Sequence, residues 1–213
     1  MDCPLCLKQT IDPIQLKRKE YGLCTNCDLL FLLPQFHLSE IEEFKRYLSH
    51  NNDDNDVKYK EYLLEGVKFA VQFFSSFSGK KVLDFGSGKS KLTAQLFEGF
   101  GGVAQLYDPY FYKEIPNDKF DCVFACEVVE HFRRPIDGFN MMKSFLNSSG
   151  VLVVRTQLRP SLGELNEWWY LRDQTHVSLY SNKTLSWIER TQGLKLININ
   201  KDLFAFQLLD NLI

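Results

Sequence analysis

The chain has 213 residues, a net charge of -2, 45% hydrophobic residues and 14% aromatic ones. That is enough apolar material for one large core, or one core with a small module, and it argues against a disordered chain. The charge balance gives no global pull towards nucleic acid or an anionic membrane surface, and no apolar run reaches the roughly 20 residues of a membrane span.

The N-terminus, Met1-Asp2-Cys3-Pro4, lacks the basic start and apolar core of a signal peptide. Cytoplasmic localisation is therefore expected. Six cysteines fit that expectation. Four form two pairs, Cys3-x-x-Cys6 and Cys24-x-x-Cys27, with 17 residues between the pairs. This is the spacing of a four-cysteine zinc ribbon, in which each pair makes a knuckle and four thiolates close the site around a structural metal. Pro4 and Asn26 suit such turns. A disulfide pair and a redox Cys-x-x-Cys are the alternatives; a reducing compartment argues against the first and the doubling of the pair against the second. Lys8, Lys17, Arg18 and Lys19 make the ribbon mildly basic, as a solvated hairpin or as an RNA-binding patch. Cys122 and Cys126 fall in a later apolar run and read as small buried hydrophobes.

Ser39-x-x-Glu42 predicts a capping box opening a helix to about Leu48. The polar run 50–56 reads as a linker or mobile loop. Residues 57–77 then have helical spacing, with Tyr62, Leu63, Val67, Ala70, Val71 and Phe74 facing inward. Ribbon, helical connector and main domain are placed at 1–36, 37–78 and 79–213.

The stretch Lys81-Val82-Leu83-Asp84-Phe85-Gly86-Ser87-Gly88-Lys89-Ser90 reads as strand, tight glycine turn and helix. Such a turn lets the backbone approach a ligand and aims N–H groups of the helix N-terminus at it. It is not a P-loop, because Leu83 stands where the first Gly of that motif belongs. Lys91 stands where a Gly-x-Gly-x-x-Gly site has its third Gly. A plain structural turn remains the alternative. A second strand, 101–108, ends in Tyr107-Asp108-Pro109, with Asp108 placed 20 residues beyond Gly88. A carboxylate there can grip the hydroxyls of a nucleoside ribose, or can serve as a turn Asp.

Phe120 to Cys126 is a near-continuous apolar strand that runs into Glu127-Val128-Val129-Glu130-His131. A helix over 136–146 and a buried strand over 150–155 follow. Ser181 or Asn182 caps a helix to about Thr191, and 194–199 with 203–209 form a hairpin. Alternating strands and helices with an antiparallel end predict an α/β fold, a mostly parallel sheet with helices on both faces.

Taken together and in order, Val82 to Gly88, Tyr107-Asp108-Pro109, Phe120-Asp121-Cys122-Val123, Glu127 to Phe132 and Gly150 to Val154 resemble the class I S-adenosylmethionine-dependent methyltransferase family. The resemblance covers roughly 60–210. Trp168 to Val177 and Tyr180 to Leu185 are similar to its quinone and small-molecule methylases, and some members of that broad group carry an N-terminal zinc ribbon. The resemblance implies a Rossmann-like sheet and the cofactor S-adenosylmethionine. It implies that Asp84, Gly86, Ser87 and Gly88 line the methionine end, that Asp108, with Pro109, holds the ribose, and that Cys126 and Glu127 lie beside the cofactor. The family often has a third Gly where Ser90 stands; Ser can cap the helix instead. Only 11 residues separate Asp108 from Phe120, so the usual helix–strand unit is missing and the Asp108 strand is expected at the sheet edge. Tyr110, Phe111 and Tyr112 are then candidates to cover the adenine, and the ribbon or the 57–77 helix to shield the edge.

His176 is a candidate general base or a loop-holding histidine. Glu127 and His131 are catalytic or metal-ligating candidates, or a cap and a packed ring. Trp168, Trp169 and Tyr170 either wall an acceptor pocket or fill the core. Arg172 and Asp173 pair with each other or orient an acceptor. A small-molecule acceptor is expected. An RNA base methyltransferase using the ribbon, and a non-catalytic scaffold on a shortened fold, are the two rival classes.

Overall fold

The computed structural model describes residues 1–9, 11–49 and 56–209. The polar run expected as a linker lies, save Asp56, outside the described residues.

The chain opens on a small antiparallel sheet. β1 (Ile11–Leu16) and β2 (Lys19–Cys24) form a hairpin, and β3 (Leu30–Leu32) pairs with β2. α1 (Glu40–Leu48) opens on the expected capping box, with Ser39 and Glu42 exchanging side-chain and backbone hydrogen bonds. α2 (Val57–Val71) is capped by Asp56. It ends six residues earlier than its spacing predicts; beyond it Phe73 packs edge-on against Phe69 and Phe74 against Phe77. Leu63, Val67 and Ala70 are buried as expected; Phe69 is buried as well.

β4 (Lys81–Phe85), α3 (Leu92–Gly99), β5 (Val103–Tyr107), β6 (Phe120–Cys126), α4 (Pro135–Ser144) and β7 (Leu146–Arg155) alternate as predicted. Then come β8 (Ser178–Leu179), α5 (Asn182–Thr191), β9 (Leu194–Asn200) and β10 (Leu203–Leu208). The large sheet has the order β5-β4-β6-β7-β10-β9. Its first four strands are parallel and β10 is antiparallel to both its neighbours. This is the mixed α/β, Rossmann-like architecture expected.

No helix or strand forms between Asp108 and Phe120, and β5 is the sheet edge. Neither proposed shield covers it. α2 packs on β6, β7 and β10, and the small sheet continues through β3 into β8, with Leu30 opposite Leu179. The edge is instead short, and Val103 stays 59% exposed. The small sheet is fused to the rest: Cys3, Cys24 and Cys27 belong to the same buried cluster as Phe85, Phe139 and Tyr180. Among the described residues no helix is long and apolar enough to cross a membrane.

Candidate active site

β5 lies on one side of β4 and β6 on the other, so chain order reverses direction at the carboxyl end of β4. Open α/β sheets bind ligands in the crevice at such a point. A cleft of about 770 Å³ opens there, and the ends of all three strands line it.

The glycine turn forms its floor. Gly86 and Gly88 have φ of +74° and +61°, a region that side chains with a Cβ rarely adopt. The N–H groups of Gly86 and Ser87 donate to the Tyr107 carbonyl at 2.8 and 3.2 Å, which ties the turn to the end of β5. α3 starts at Leu92 with Lys91 at its N-cap position, so Ser90 is not the helix cap expected; it stands one residue earlier, where its Oγ accepts the Leu92 N–H at 3.0 Å. The turn's N–H groups are not all aimed at a ligand. Gly88 donates at 2.9 Å to Asp108 Oδ2, while Tyr110 and Phe111 donate to Oδ1 at 2.8 and 3.1 Å. Asp108 therefore organises the turn, and its four or so lone-pair positions keep about one for a ligand hydroxyl.

Asp84 lies at the end of β4, nearly buried, and its Oδ2 has no hydrogen-bond partner among the described residues. Burial first, and Asp108 second, push its carboxyl up to about 8. An unpaired buried carboxylate oxygen in a cleft wall is suited to a cationic group. Pro109, Tyr110 and Phe111 line the cleft beyond the end of β5, and Cys126 and Glu127 line it at the end of β6. Burial holds the Cys126 thiol well above its usual range. α1 lies over this end. Phe44 meets Tyr110 at 5.4 Å and Phe111 at 6.1 Å, and Tyr47 meets Tyr110 at 5.4 Å.

The far end of the cleft holds the three expected catalytic candidates, brought together from two loops. Glu127, at φ +53°, accepts hydrogen bonds from Tyr62 (2.8 Å) and Tyr170 (3.1 Å). The one hydroxyl hydrogen of Tyr170 is shared with Glu130 Oε1, the nearer oxygen at 2.6 Å. Burial raises both carboxyls above the ordinary range, Glu127 with a further push from Glu130. His131 and His176 lie with ring centroids 4.9 Å apart. Of the aromatic run, Trp169 lines the cleft at 57% exposure, Tyr170 is buried beneath it, and Trp168 packs towards the small sheet. Of the two readings of Arg172 and Asp173, a mutual pair or acceptor-orienting residues, the first gives way: Asp173 binds Arg46 of α1 at 2.6 Å, because α1 crosses the loop there, while both residues line the cleft, as the second requires.

The model of a family described as "Methyltransferase domain" matches residues 58–199. The chain belongs to that family. Among solved structures this methyltransferase is similar to a Burkholderia thailandensis 1,6-didemethyltoxoflavin-N1-methyltransferase, solved with that compound and S-adenosylhomocysteine. The TM-score is 0.58 at 12% identity, covering 93% of this chain and 100% of that one. It is also similar to an O-methyltransferase family protein of the same organism (0.55, 12%, 79% and 63%). A third is NodS, an N-methyltransferase of Bradyrhizobium japonicum in complex with S-adenosylhomocysteine (0.51, 13%, 79% and 98%). At such identities the likeness is one of fold. No curated protein matches the sequence.

In this methyltransferase the four N-terminal cysteines converge. Their Sγ atoms all lie within 4.8 Å of one another, with Cys3–Cys27 at 3.5 Å and Cys6–Cys24 at 3.4 Å. These distances far exceed the roughly 2.05 Å of a disulfide. They approach the ~3.8 Å edge of a tetrahedron of sulfurs around an ion at about 2.3 Å. The two knuckles share one backbone design. Leu7 N–H donates to Cys3 O and Asp28 N–H to Cys24 O at 2.9 and 2.8 Å. Leu7 and Asp28 both have positive φ, 58° and 61°.

Sequence reading missed Tyr62, Arg46 and Arg155. Arg155 ends β7, has a side chain 4% exposed, and binds Asp202 at 2.9 Å and Glu65 at 2.7 Å. Its guanidinium stacks 3.5 Å from the Tyr62 ring, which positions that hydroxyl on Glu127. The available signal was a cation closing the apolar run Val151 to Val154.

Proposed function

We propose that the chain transfers a methyl group from S-adenosylmethionine to a small-molecule acceptor, with zinc held by Cys3, Cys6, Cys24 and Cys27 as a structural ion. The carrying observation is the single cleft at the strand-order reversal, which gathers Asp84, the glycine turn, Asp108 and the Glu127–His131–His176 end. When bound, S-adenosylmethionine supplies a methyl group already activated on a sulfonium.

The residues present fit it. Asp84 Oδ2 is the buried anion for the cofactor's ammonium group, Gly86, Ser87 and Gly88 admit its amino-acid end, and Asp108 accepts one ribose hydroxyl. Tyr110 and Phe111, backed by Phe44 and Tyr47, replace the adenine wall that the missing segment would supply. Cys126 packs beside the cofactor. The chain's remaining tasks are to align the acceptor, exclude water and take up a proton where the acceptor releases one. Glu127, His131 and His176 form the end of the cleft where that happens, with Trp169 as its apolar wall.

Calorimetry of the zinc-loaded protein with S-adenosylhomocysteine tests this reading. Binding that weakens at least about tenfold, or 1.4 kcal/mol, in Asp84→Asn is expected. Asp84 is the better control than Asp108, because removing Asp108 also unties the turn. No binding by the intact protein would favour the scaffold class instead.

A further inference from the structure

At the far end of the cleft two imidazoles and a carboxylate present one donor atom each within 4.8 Å of one another: Glu130, His131 and His176. His131 Nδ1 lies 3.1 Å from the Thr175 carbonyl and His176 Nδ1 lies 2.9 Å from the Tyr170 carbonyl. A carbonyl oxygen only accepts, so each neutral ring carries its hydrogen on Nδ1 and its lone pair on Nε2. Histidines that ligate metals are oriented by such a bond from the other ring nitrogen. His131 Nε2 stands 3.9 Å from Glu130 Oε1. Glu130 is wholly buried; Tyr170 pins its Oε1, and its Oε2 has no hydrogen-bond partner among the described residues. A buried carboxylate in that state is costly unless a proton or a cation meets it.

We propose that Glu130, His131 and His176 bind a divalent transition-metal ion, at a site distinct from the four cysteines. Ligand bonds of about 2.0–2.2 Å put neighbouring donors about 3 Å apart, so ligation needs the three groups to close by one or two ångströms. Mixed nitrogen and oxygen donors suit Zn²⁺, Fe²⁺, Co²⁺ or Mn²⁺ better than Mg²⁺ or Ca²⁺. Three protein ligands leave coordination positions open. Both histidines line the cleft, so those positions face it. A small molecule with an oxygen or nitrogen donor can enter them. That this molecule is the methyl acceptor rests on the reading above.

The test uses the full chain with zinc already on the cysteines, titrated with Co²⁺ and followed by absorbance. One further equivalent is expected, with ligand-field bands and no thiolate charge-transfer band. His131→Gln and His176→Gln should each weaken it by more than about 100-fold, beyond the usual effect of losing an outer-shell partner. Zinc content and thermal unfolding report whether each variant is folded, and the isosteric Glu130→Gln repeats the test should a histidine variant unfold. No further Co²⁺ in the intact chain, or equal affinity in the folded variants, overturns the proposal. Binding of S-adenosylhomocysteine is read on the same samples. Co²⁺ without S-adenosylhomocysteine upholds the metal site and sinks methyl transfer; the reverse result sinks the metal site alone.

Discussion

Gly86 sits at φ +74°, and a Cβ placed on it would meet Val128 Cγ2 at 2.6 Å and Cγ1 at 2.8 Å. Gly86→Ala therefore faces both the left-handed cost of about 1–2 kcal/mol and a clash. A loss of at least about 2 kcal/mol in denaturant unfolding is expected, partly rescued by adding Val128→Ala, since the second change removes both γ-methyl groups. A strictly additive double mutant would refute the contact. Asp84 makes a different prediction. Its folded carboxyl titrates near 8, above its usual ~3.9, so ionising it costs the free protein stability as pH rises from about 4 to about 8. A bound ammonium group favours the ionised form, so binding releases a proton. Affinity for S-adenosylhomocysteine should rise from pH 6 to pH 8, and Asp84→Asn should flatten that profile. The glycine turn and Asp84 were readable in sequence because chain neighbours dictate them. The division of Asp108 between turn and ligand was not, because its partners, Gly88, Tyr110 and Phe111, meet it only when β4 and β5 pair.

At the level of elements, α1 is the unusual one. None of its residues is buried, yet it covers the cleft through Phe44, Tyr47 and two ion pairs, Arg46–Asp173 at 2.6 Å and Glu43–Arg133 at 2.5 Å. Exposed pairs of this kind contribute only up to about 1 kcal/mol each. Arg46→Ala combined with Phe44→Ala should leave the unfolding temperature nearly unchanged but speed S-adenosylhomocysteine release several-fold in stopped-flow displacement. Unchanged release would mean that α1 does not cover the ligand. The capping box announced this helix; its place over the cleft depends on Asp173 and Arg133, which are distant in sequence.

Across the whole molecule, the small sheet takes its fourth strand, β8, from the segment that follows His176, paired to β3. Asp28 of the second knuckle binds Arg159 at 2.6 Å and Ser181, the cap of α5, at 2.5 Å. β8 begins two residues after His176, and the Val177 N–H donates to the Glu130 carbonyl at 2.8 Å. Stripping the zinc proposed for the four cysteines should therefore reach the far end of the cleft. After chelation, hydrogen exchange should accelerate in 3–32 and in 176–181 together, while β4 and β6 stay protected. Acceleration confined to 3–32 would show that the ribbon is independent of the cleft.

The sequence by itself determined the periodic elements, the glycine turn, the two cysteine knuckles and the loss of a unit after Asp108. Each is written in residues a few positions apart, where propensity, spacing and chain length act directly. Only the tertiary structure decided that α2 and the ribbon leave the β5 edge open and that Asp173 reaches α1 instead of Arg172. It also decided that Glu130, His131 and His176 meet. Those outcomes depend on which surfaces bury one another over separations of tens to more than a hundred residues, and no local pattern encodes that choice.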